Sequence, residues 1–279
     1  MFTLSEYQQR ATEALVSLYG DREAMAIVKL WFESRLKMSR IDLSLRRGEE
    51  VEFPKFEDDL MRLQSNTPIQ LILEEAYFLD QSYKVNAHTL IPRPETEELV
   101  MAILDRFKDG SLRVVDVGTG SGCIAIALQL ARPKWSITGV DVHRETIATA
   151  KTNADRLGAK VDFRVIDVLV EPLPEFDFLV SNPPYIPARE ANEMDRNVVD
   201  YEPDRALFIP DEDPLLFYRR LMELATAKNM DKPVNLAFEI HEDFGEQMIE
   251  LCASFGCKEV NLLQDLQGKD RMIFARYGG

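Results

Sequence analysis

The sequence predicts an α/β chain built on a mostly parallel, Rossmann-like sheet and preceded by a small helical domain. Three observations predict it. Helical periodicity dominates the first part of the chain; from Leu112 onward apolar strand-like runs alternate with helical stretches; and a glycine-rich turn follows the first of those runs. Alternation of this kind builds a sheet covered on both faces, because each parallel strand needs a crossover before the next can pair.

The elements follow in order. Leu4, Tyr7, Ala11, Leu15 and Leu18 recur at helical spacing, as do Ala24, Ile27, Val28 and Trp31, and Phe53, Phe56, Leu60 and Leu63 predict another helix ahead of Asn66-Thr67-Pro68. Residues 1–75 are therefore expected to form a helical bundle, a candidate for substrate recognition. Tyr77-Phe78-Leu79 and Tyr83-Lys84-Val85 around Asp80-Gln81-Ser82 predict a short hairpin that opens a second domain over 76–279. Strands are expected at 113–117, 136–140, 161–166, 178–181 and 234–240. Helices are expected at 123–131, ending before Pro133; at 144–157, with Gly158 as the stop; at 215–225, started by Asp213-Pro214; and running toward Phe255. Two further runs, 260–263 and 272–275, suit a terminal hairpin.

Composition narrows the function classes. The 279 residues are 46% hydrophobic and 29% charged, the balance of a globular chain with a substantial core. No uninterrupted apolar run approaches bilayer length, and the N-terminus lacks a basic region followed by an apolar stretch, so no membrane partner and a cytoplasmic location are expected. Cys123, Cys252 and Cys257 form neither a Cys-x-x-Cys pair nor an even set, and His88, His143 and His241 are scattered; no metal site is expected. A formal charge of −15 argues against holding naked nucleic acid through its phosphates, which takes clustered Lys and Arg.

The turn Gly118-Thr119-Gly120-Ser121-Gly122 lets a ligand approach the backbone closely at the end of a buried strand. Cys123 stands where a dinucleotide fingerprint wants its third glycine, and no Gly-Lys-Ser/Thr follows, so the spacing suits a ligand without a phosphate to cradle. Asp141, at the end of the second strand, is placed to accept from both hydroxyls of a ribose; its alternative role is a loop cap. Asp167, ending the third strand, is a candidate acceptor for an adenine amino group, with a structural role as the alternative. In an open sheet such strand ends gather at one edge, which Asn182 reaches from the fourth strand.

Asn182-Pro183-Pro184-Tyr185 completes the constellation and points to an S-adenosylmethionine enzyme that methylates a planar, weakly nucleophilic nitrogen. The lone pair of an amide or aromatic amine is delocalised, so the NH2 group must be held by acceptors and aimed. The Asn182 side-chain oxygen and the Pro183 carbonyl are acceptors, neither Pro183 nor Pro184 has an N–H to compete, and the Tyr185 ring offers a flat face.

These residues, together with Leu90-Ile91-Pro92-Arg93-Pro94-Glu95-Thr96-Glu97, Ile186-Pro187, Tyr201-Glu202-Pro203 and Ala206-Leu207, identify a resemblance over residues 68–277. The chain resembles the HemK/PrmC family of protein glutamine methyltransferases. The resemblance implies a class I S-adenosylmethionine-dependent methyltransferase with a seven-stranded sheet, a small N-terminal helical domain and a connecting β-hairpin. It implies methylation of the side-chain amide of the glutamine in the Gly-Gly-Gln loop of peptide chain release factors, with S-adenosylhomocysteine as the other product. The family's cofactor site carries over to Gly118 through Gly122, Asp141 and Asn182, and its catalytic and substrate site to Asn182 through Tyr185. Arg93, Pro94 and Glu95 either shape the cofactor pocket from a linker or pin the domains together. The chain departs from the family pattern at Leu71 and Glu74, where a tyrosine and a glycine are usual, and at Phe208-Ile209-Pro210-Asp211, where a glycine-rich turn is usual. His241 replaces a glycine, and Val168 stands where an aromatic beside the adenine is common.

Two rival readings remain at this level. An adenine amino-methyltransferase of DNA or RNA faces the same chemical problem with the same tetrapeptide, but the acidic balance and the Ile91-to-Glu95 segment favour a protein substrate and no direct nucleic-acid partner. A catalytically idle cofactor-binding protein has no reason to keep all four residues from Asn182 to Tyr185. A monomer is expected.

Overall fold

In the computed structural model, residues 2–108, 110–228 and 233–278 are described. The chain divides into two compact units, Met1–Glu75 with Asp195–Tyr201, and Ala76–Met194 with Glu202–Gly279.

In the first unit, the two-residue strand β1 (Phe2–Thr3) leads into a long helix, α1 (Leu4–Leu36). Thr3 caps α1 through a reciprocal pair with Glu6, satisfying backbone donors that a helix start leaves free. The two periodic runs of the sequence lie on either side of a break at Gly20, whose φ of 73° interrupts this helix. Helices α2 (Arg40–Leu45), α3 (Phe56–Gln64) and α4 (Ile69–Leu73) complete the bundle, and β2 (Glu50–Val51) pairs antiparallel with β1. The core gathers Trp31, Phe32, Phe53 and Phe56, with ring centroids 5.0–6.3 Å apart. At its floor the buried Asp59 accepts from Trp31 Nε1 and from two nitrogens of Arg35 at 2.7–2.9 Å. The segment 195–201, which the sequence boundary at 75/76 assigns to the second domain, groups here instead: its short helix α8 (Arg196–Val199) is followed by Tyr201, whose hydroxyl donates to the Ser65 carbonyl at 2.6 Å.

The second unit begins with the expected hairpin, β3 (Glu75–Phe78) and β4 (Gln81–Lys84), whose turn residues Leu79 and Asp80 take positive φ. The helix α5 (Pro94–Arg106) then appears where the sequence reading placed only a linker. Pro94 occupies its first turn, where the missing N–H costs nothing, and Thr96, Leu99, Val100 and Ile103 face inward. The expected alternation follows: β5 (Arg113–Val117), α6 (Cys123–Ala131), β6 (Ser136–Asp141), α7 (Arg144–Leu157) stopped by left-handed Gly158, β7 (Val161–Val165) and β8 (Phe178–Ser181). A loop region carries β9 (Ile186–Pro187), α9 (Asp204–Leu207) and β10 (Phe208–Ile209), with β10 parallel to β9. The chain closes with α10 (Leu216–Lys228), β11 (Val234–Glu239), α11 (Gly245–Ser254), β12 (Lys258–Gln264) and β13 (Asp270–Tyr277).

Seven strands form one sheet in the order β12-β13-β11-β8-β5-β6-β7, parallel except for β13, which runs antiparallel to both neighbours. Successive residues feed opposite layers, as the strand period requires. Val114, Phe178 and Val180 pack under α5, α6 and α7, while Val115 and Leu179 pack under α10 and α11. No helix among the described residues is long and apolar enough to cross a membrane.

Gly139 in β6 marks a tight place in this packing. A Cβ there would lie 2.6 Å from the buried Phe163 ring and 2.8 Å from Thr119 Oγ1. Gly139→Ala is expected to destabilise the protein by about 1–3 kcal/mol, the usual penalty for overpacking a filled core. Urea denaturation of the full chain checks this, and an unchanged midpoint would show that the ring and the turn yield freely.

Candidate active site

The strand order reverses between β5 and β8: the chain steps outward through β6 and β7, then returns to lay β8 on the other side of β5. Ligands of open α/β sheets bind at the carboxyl ends of the strands at such a reversal. Val117 and Ser181 are register partners at the ends of β5 and β8, and Ser181 Oγ donates to the Val117 carbonyl at 2.7 Å. The glycine turn and the tetrapeptide therefore leave adjacent strands side by side. Gly118, at φ 70°, lies so close that a Cβ on it would be 3.7 Å from the Asn182 carbonyl oxygen.

A cavity of about 440 Å³ opens over this edge. Gly118 and Gly120 line it from the turn, and Asp141 through His143 from the end of β6. Ile166 through Leu169 form another wall, with Phe217 and Leu221 of α10; Asn182, Pro183 and Pro184 complete the floor, while Arg205, Ala206 and Phe208 lie at the rim. The Asp141 carboxylate accepts from the Gly120 N–H at 3.2 Å and the His143 N–H at 3.1 Å, so it orders both flanking loops. Burial pushes its pKa up, and those backbone bonds work the other way. Asp167 accepts from the Leu169 N–H through one oxygen, and the buried Val168 faces the cavity beside it.

The other expected site residues lie behind the wall. Thr119 is buried and donates to Asp116; Ser121 is buried, its carbonyl accepting from Asn153 at 2.9 Å; Gly122 packs against Ile126, Ala150 and Phe163 at φ 83°. None of the three lines the cavity. Their part of the turn is turned inward because it starts α6. Nor does the Tyr185 ring line it: Tyr185 donates its hydroxyl to Glu239 Oε1 at 3.0 Å and meets His241 edge-on at 6.2 Å.

Two residues that build the site escape the sequence reading. Glu239, the last residue of β11, is 1% exposed and accepts from Tyr185 and, at 2.7 Å, from Thr96 of α5. Asn182 Nδ2 donates to that same Thr96 hydroxyl at 3.1 Å, and no described residue donates to Asn182 Oδ1. Burial pushes the Glu239 carboxyl above its ordinary value, against the pull of its two hydroxyl donors. The signal was available: a lone carboxylate inside the apolar run 234–240, and a threonine on the inward spacing of residues 96, 99, 100 and 103.

The segment Leu90 to Glu97 is anchored by a second buried carboxylate. Glu202 accepts from the Ile91 N–H at 3.0 Å and from Arg93 at 2.5 Å, while Glu97 accepts from the Leu79 N–H. Arg93 thus bonds within its own unit, and Pro94 and Glu95 open α5.

Among the departures, Glu74 adopts φ 57° in the left-handed region that glycine takes without penalty. His241 instead caps the short helix at Glu242–Phe244 by accepting from the Asp243 N–H, and its other ring nitrogen lies 3.1 Å from Glu190.

The fold is that of a class I S-adenosylmethionine-dependent methyltransferase, and the cavity lies at its strand reversal. The family described as "Methyltransferase small domain" matches residues 96–200. A methyltransferase structure from Pyrococcus furiosus shares the fold at a TM-score of 0.50 with 18% identity, covering 80% of this chain and 100% of that one. Two curated relatives are nearly full-length matches: a release factor glutamine methyltransferase of Flavobacterium psychrophilum, 39% identical over 97% of this chain and 98% of its own, and one of Bacteroides thetaiotaomicron, 38% identical over 94% and 96%. The chain belongs to the release factor glutamine methyltransferase family.

Asp116, beneath the turn, carries a pH dependence. It is fully buried, Thr119 donates to its Oδ2 at 2.6 Å, and Oδ1 has no partner among the described residues. Burial pushes its pKa up to about 7 from 3.8, with the Thr119 bond opposing. The folded state thus holds the proton more tightly than the unfolded chain; the resulting stability is full below the unfolded pKa and is lost as pH rises through the folded one. The stability of wild type relative to Asp116→Asn is expected to fall between about pH 4 and about pH 7, by up to about 1.4 kcal/mol per pH unit. Denaturant titrations of both proteins across that range check it, and a pH-independent difference would contradict it.

Proposed function

We propose that the chain transfers a methyl group from S-adenosylmethionine to the side-chain amide nitrogen of the glutamine in the Gly-Gly-Gln loop of peptide chain release factors. The observation that carries this reading is the amide of Asn182, a residue that lines the cavity: its nitrogen is tied to Thr96, and no described residue donates to its oxygen. An acceptor fixed there suits an NH2 group. The near-full-length relatives, named for release factors, favour the amide of a protein over an adenine amine.

The cavity walls fit the proposed cofactor. Gly118 and Gly120 allow close approach, Asp141 offers acceptor lone pairs to a ribose diol, and Asp167 with Val168 and Leu169 provides an edge acceptor beside apolar faces for a flat base. Bound there, S-adenosylmethionine supplies an electrophilic methyl group. The protein's own task is positioning, worth about 7–11 kcal/mol when reactants are held in attack geometry. Asn182 Oδ1 and the Pro183 carbonyl accept from the two N–H bonds of the glutamine amide, turning its nitrogen lone pair toward the cavity. As that nitrogen becomes cationic, both acceptors stabilise the charge without taking its proton, which leaves to water.

Labelled methyl transfer to a release factor, compared with one whose loop glutamine is changed to glutamate, tests the substrate assignment. The first is expected to be methylated and the second not; label appearing elsewhere on the glutamate variant by mass spectrometry would overturn it. Asn182→Ala is expected to keep the fold and most cofactor affinity while lowering turnover by about a hundredfold or more, the cost of removing one preorganised transition-state partner. Steady-state kinetics at saturating cofactor and release factor checks this, and turnover equal to wild type would refute the role of the side chain.

A further inference from the structure

An amide side chain carries an acceptor at one end and a donor at the other, and the two ends have nearly the same shape. Packing alone therefore does not decide which end of Asn182 faces the substrate. The hydrogen-bond chain behind it does. Thr96 has a single hydroxyl proton, and Glu239, as the ionised acceptor of two hydroxyls, takes it on Oε2 at 2.7 Å. Oγ1 is left with lone pairs only, and the group 3.1 Å away must donate, which places Asn182 Nδ2 inward and Oδ1 outward. Glu239 cannot readily swing away from Thr96: it is 1% exposed, Tyr185 holds its other oxygen at 3.0 Å, and its backbone carbonyl accepts from the buried Tyr218 hydroxyl at 2.8 Å.

We infer that Thr96 and Glu239 are positioning residues that set the polarity of the Asn182 amide, so that the site presents an acceptor and selects a substrate bearing an NH2 group. With the amide reversed, the Asn182 NH2 would face the NH2 of the glutamine, donor against donor, while its oxygen would face the lone pairs of Thr96. The same carboxylate also holds Tyr185, so Glu239 fixes the tetrapeptide at both ends. This inference rests on the reading of the site as an amide methyltransferase, and its test separates the two.

Thr96→Val keeps the shape of the side chain and removes the hydroxyl; Thr96→Ser keeps the hydroxyl. Labelled transfer to a release factor is measured for each in the full chain, alongside thermal unfolding. Wild type without activity on the release factor would sink the underlying functional reading. Given an active wild type, Thr96→Val is expected to lower kcat about tenfold with little change in either KM, the effect of losing roughly one orienting hydrogen bond in the transition state. Thr96→Ser is expected to stay within about twofold of wild type. The decisive arm uses Asn182→Asp, whose two oxygens make a flip immaterial: there, Thr96→Val is expected to change kcat by less than about twofold. A full tenfold loss in that background, or a Thr96→Val enzyme as fast as wild type, would overturn the inference. Should Thr96→Val fail to fold, Glu239→Gln provides the same comparison when made once in the wild-type chain and once in the Asn182→Asp variant. Because Glu239 also holds Tyr185, a clearly smaller loss in the Asn182→Asp chain than in the wild-type chain is expected, and equal loss in both would overturn the inference.

Discussion

A carboxylate taken out of water at the end of a central strand is tolerated only when its lone pairs are used. Glu239 uses them on the hydroxyls of Thr96 and Tyr185, and the tetrapeptide depends on that arrangement. Three elements must agree for it to exist. β11 must pair with β8 so that Phe238 stands opposite Ser181, which brings Glu239 level with Asn182; α5 must start at Pro94, so that Thr96 lies in its first turn. The setting of the Asn182 amide is thus a consequence of sheet register and of one helix start, and the apolar packing of both layers serves to hold those registers.

The buried carboxylates differ in how many donors they receive, and the difference sorts their roles. Asp59 has Trp31 and Arg35, Glu202 has Arg93 and the Ile91 N–H, and each ties together segments far apart in sequence. Removing the cation from such a pair leaves an uncompensated charge, which is why both are structural anchors. Glu239 has hydroxyls but, among the described residues, no directly bonded cation, an arrangement that orients its partners. Asp116 has Thr119 as its side-chain donor, and burial raises its pKa.

The alternation of strands and helices after Leu112 was legible because parallel strands buried on both faces read as short apolar runs with clear stops, Gly158 among them. The positions of Asp141 and Asn182 at strand ends were legible for the same reason. The helix over 94–106 was hidden by Pro92 and Pro94, which read as linker residues although proline is at home in a first turn. Glu239 was hidden because strand periodicity ranks a carboxylate in an apolar run as an exception, and only the register with β8 shows what it meets. The inward turn of Thr119, Ser121 and Gly122 was likewise invisible in the spacing, since a glycine-rich loop does not reveal which of its residues face a ligand and which begin the next helix.

The departures from the family pattern show how the fold absorbs sequence change. Glu74 accepts a left-handed backbone that a glycine would take freely, a cost of about 1 kcal/mol at a helix end. His241 trades the freedom of a glycine for a capping bond to the Asp243 N–H and a contact with the Tyr185 ring. Val168 keeps an apolar surface at the cavity wall with less area than an aromatic ring, while Phe217 and Leu221 lie on the wall with it. Of these changes Val168 lines the cavity and His241 meets the Tyr185 ring, positions where volume and backbone preference can be exchanged among neighbours, whereas Glu74 lies in the first unit. The polarity of Asn182 allows no such exchange, because a donor and an acceptor cannot substitute for one another, and with Glu239 ionised the chain Asn182-Thr96-Glu239 has only one direction in which every proton is placed.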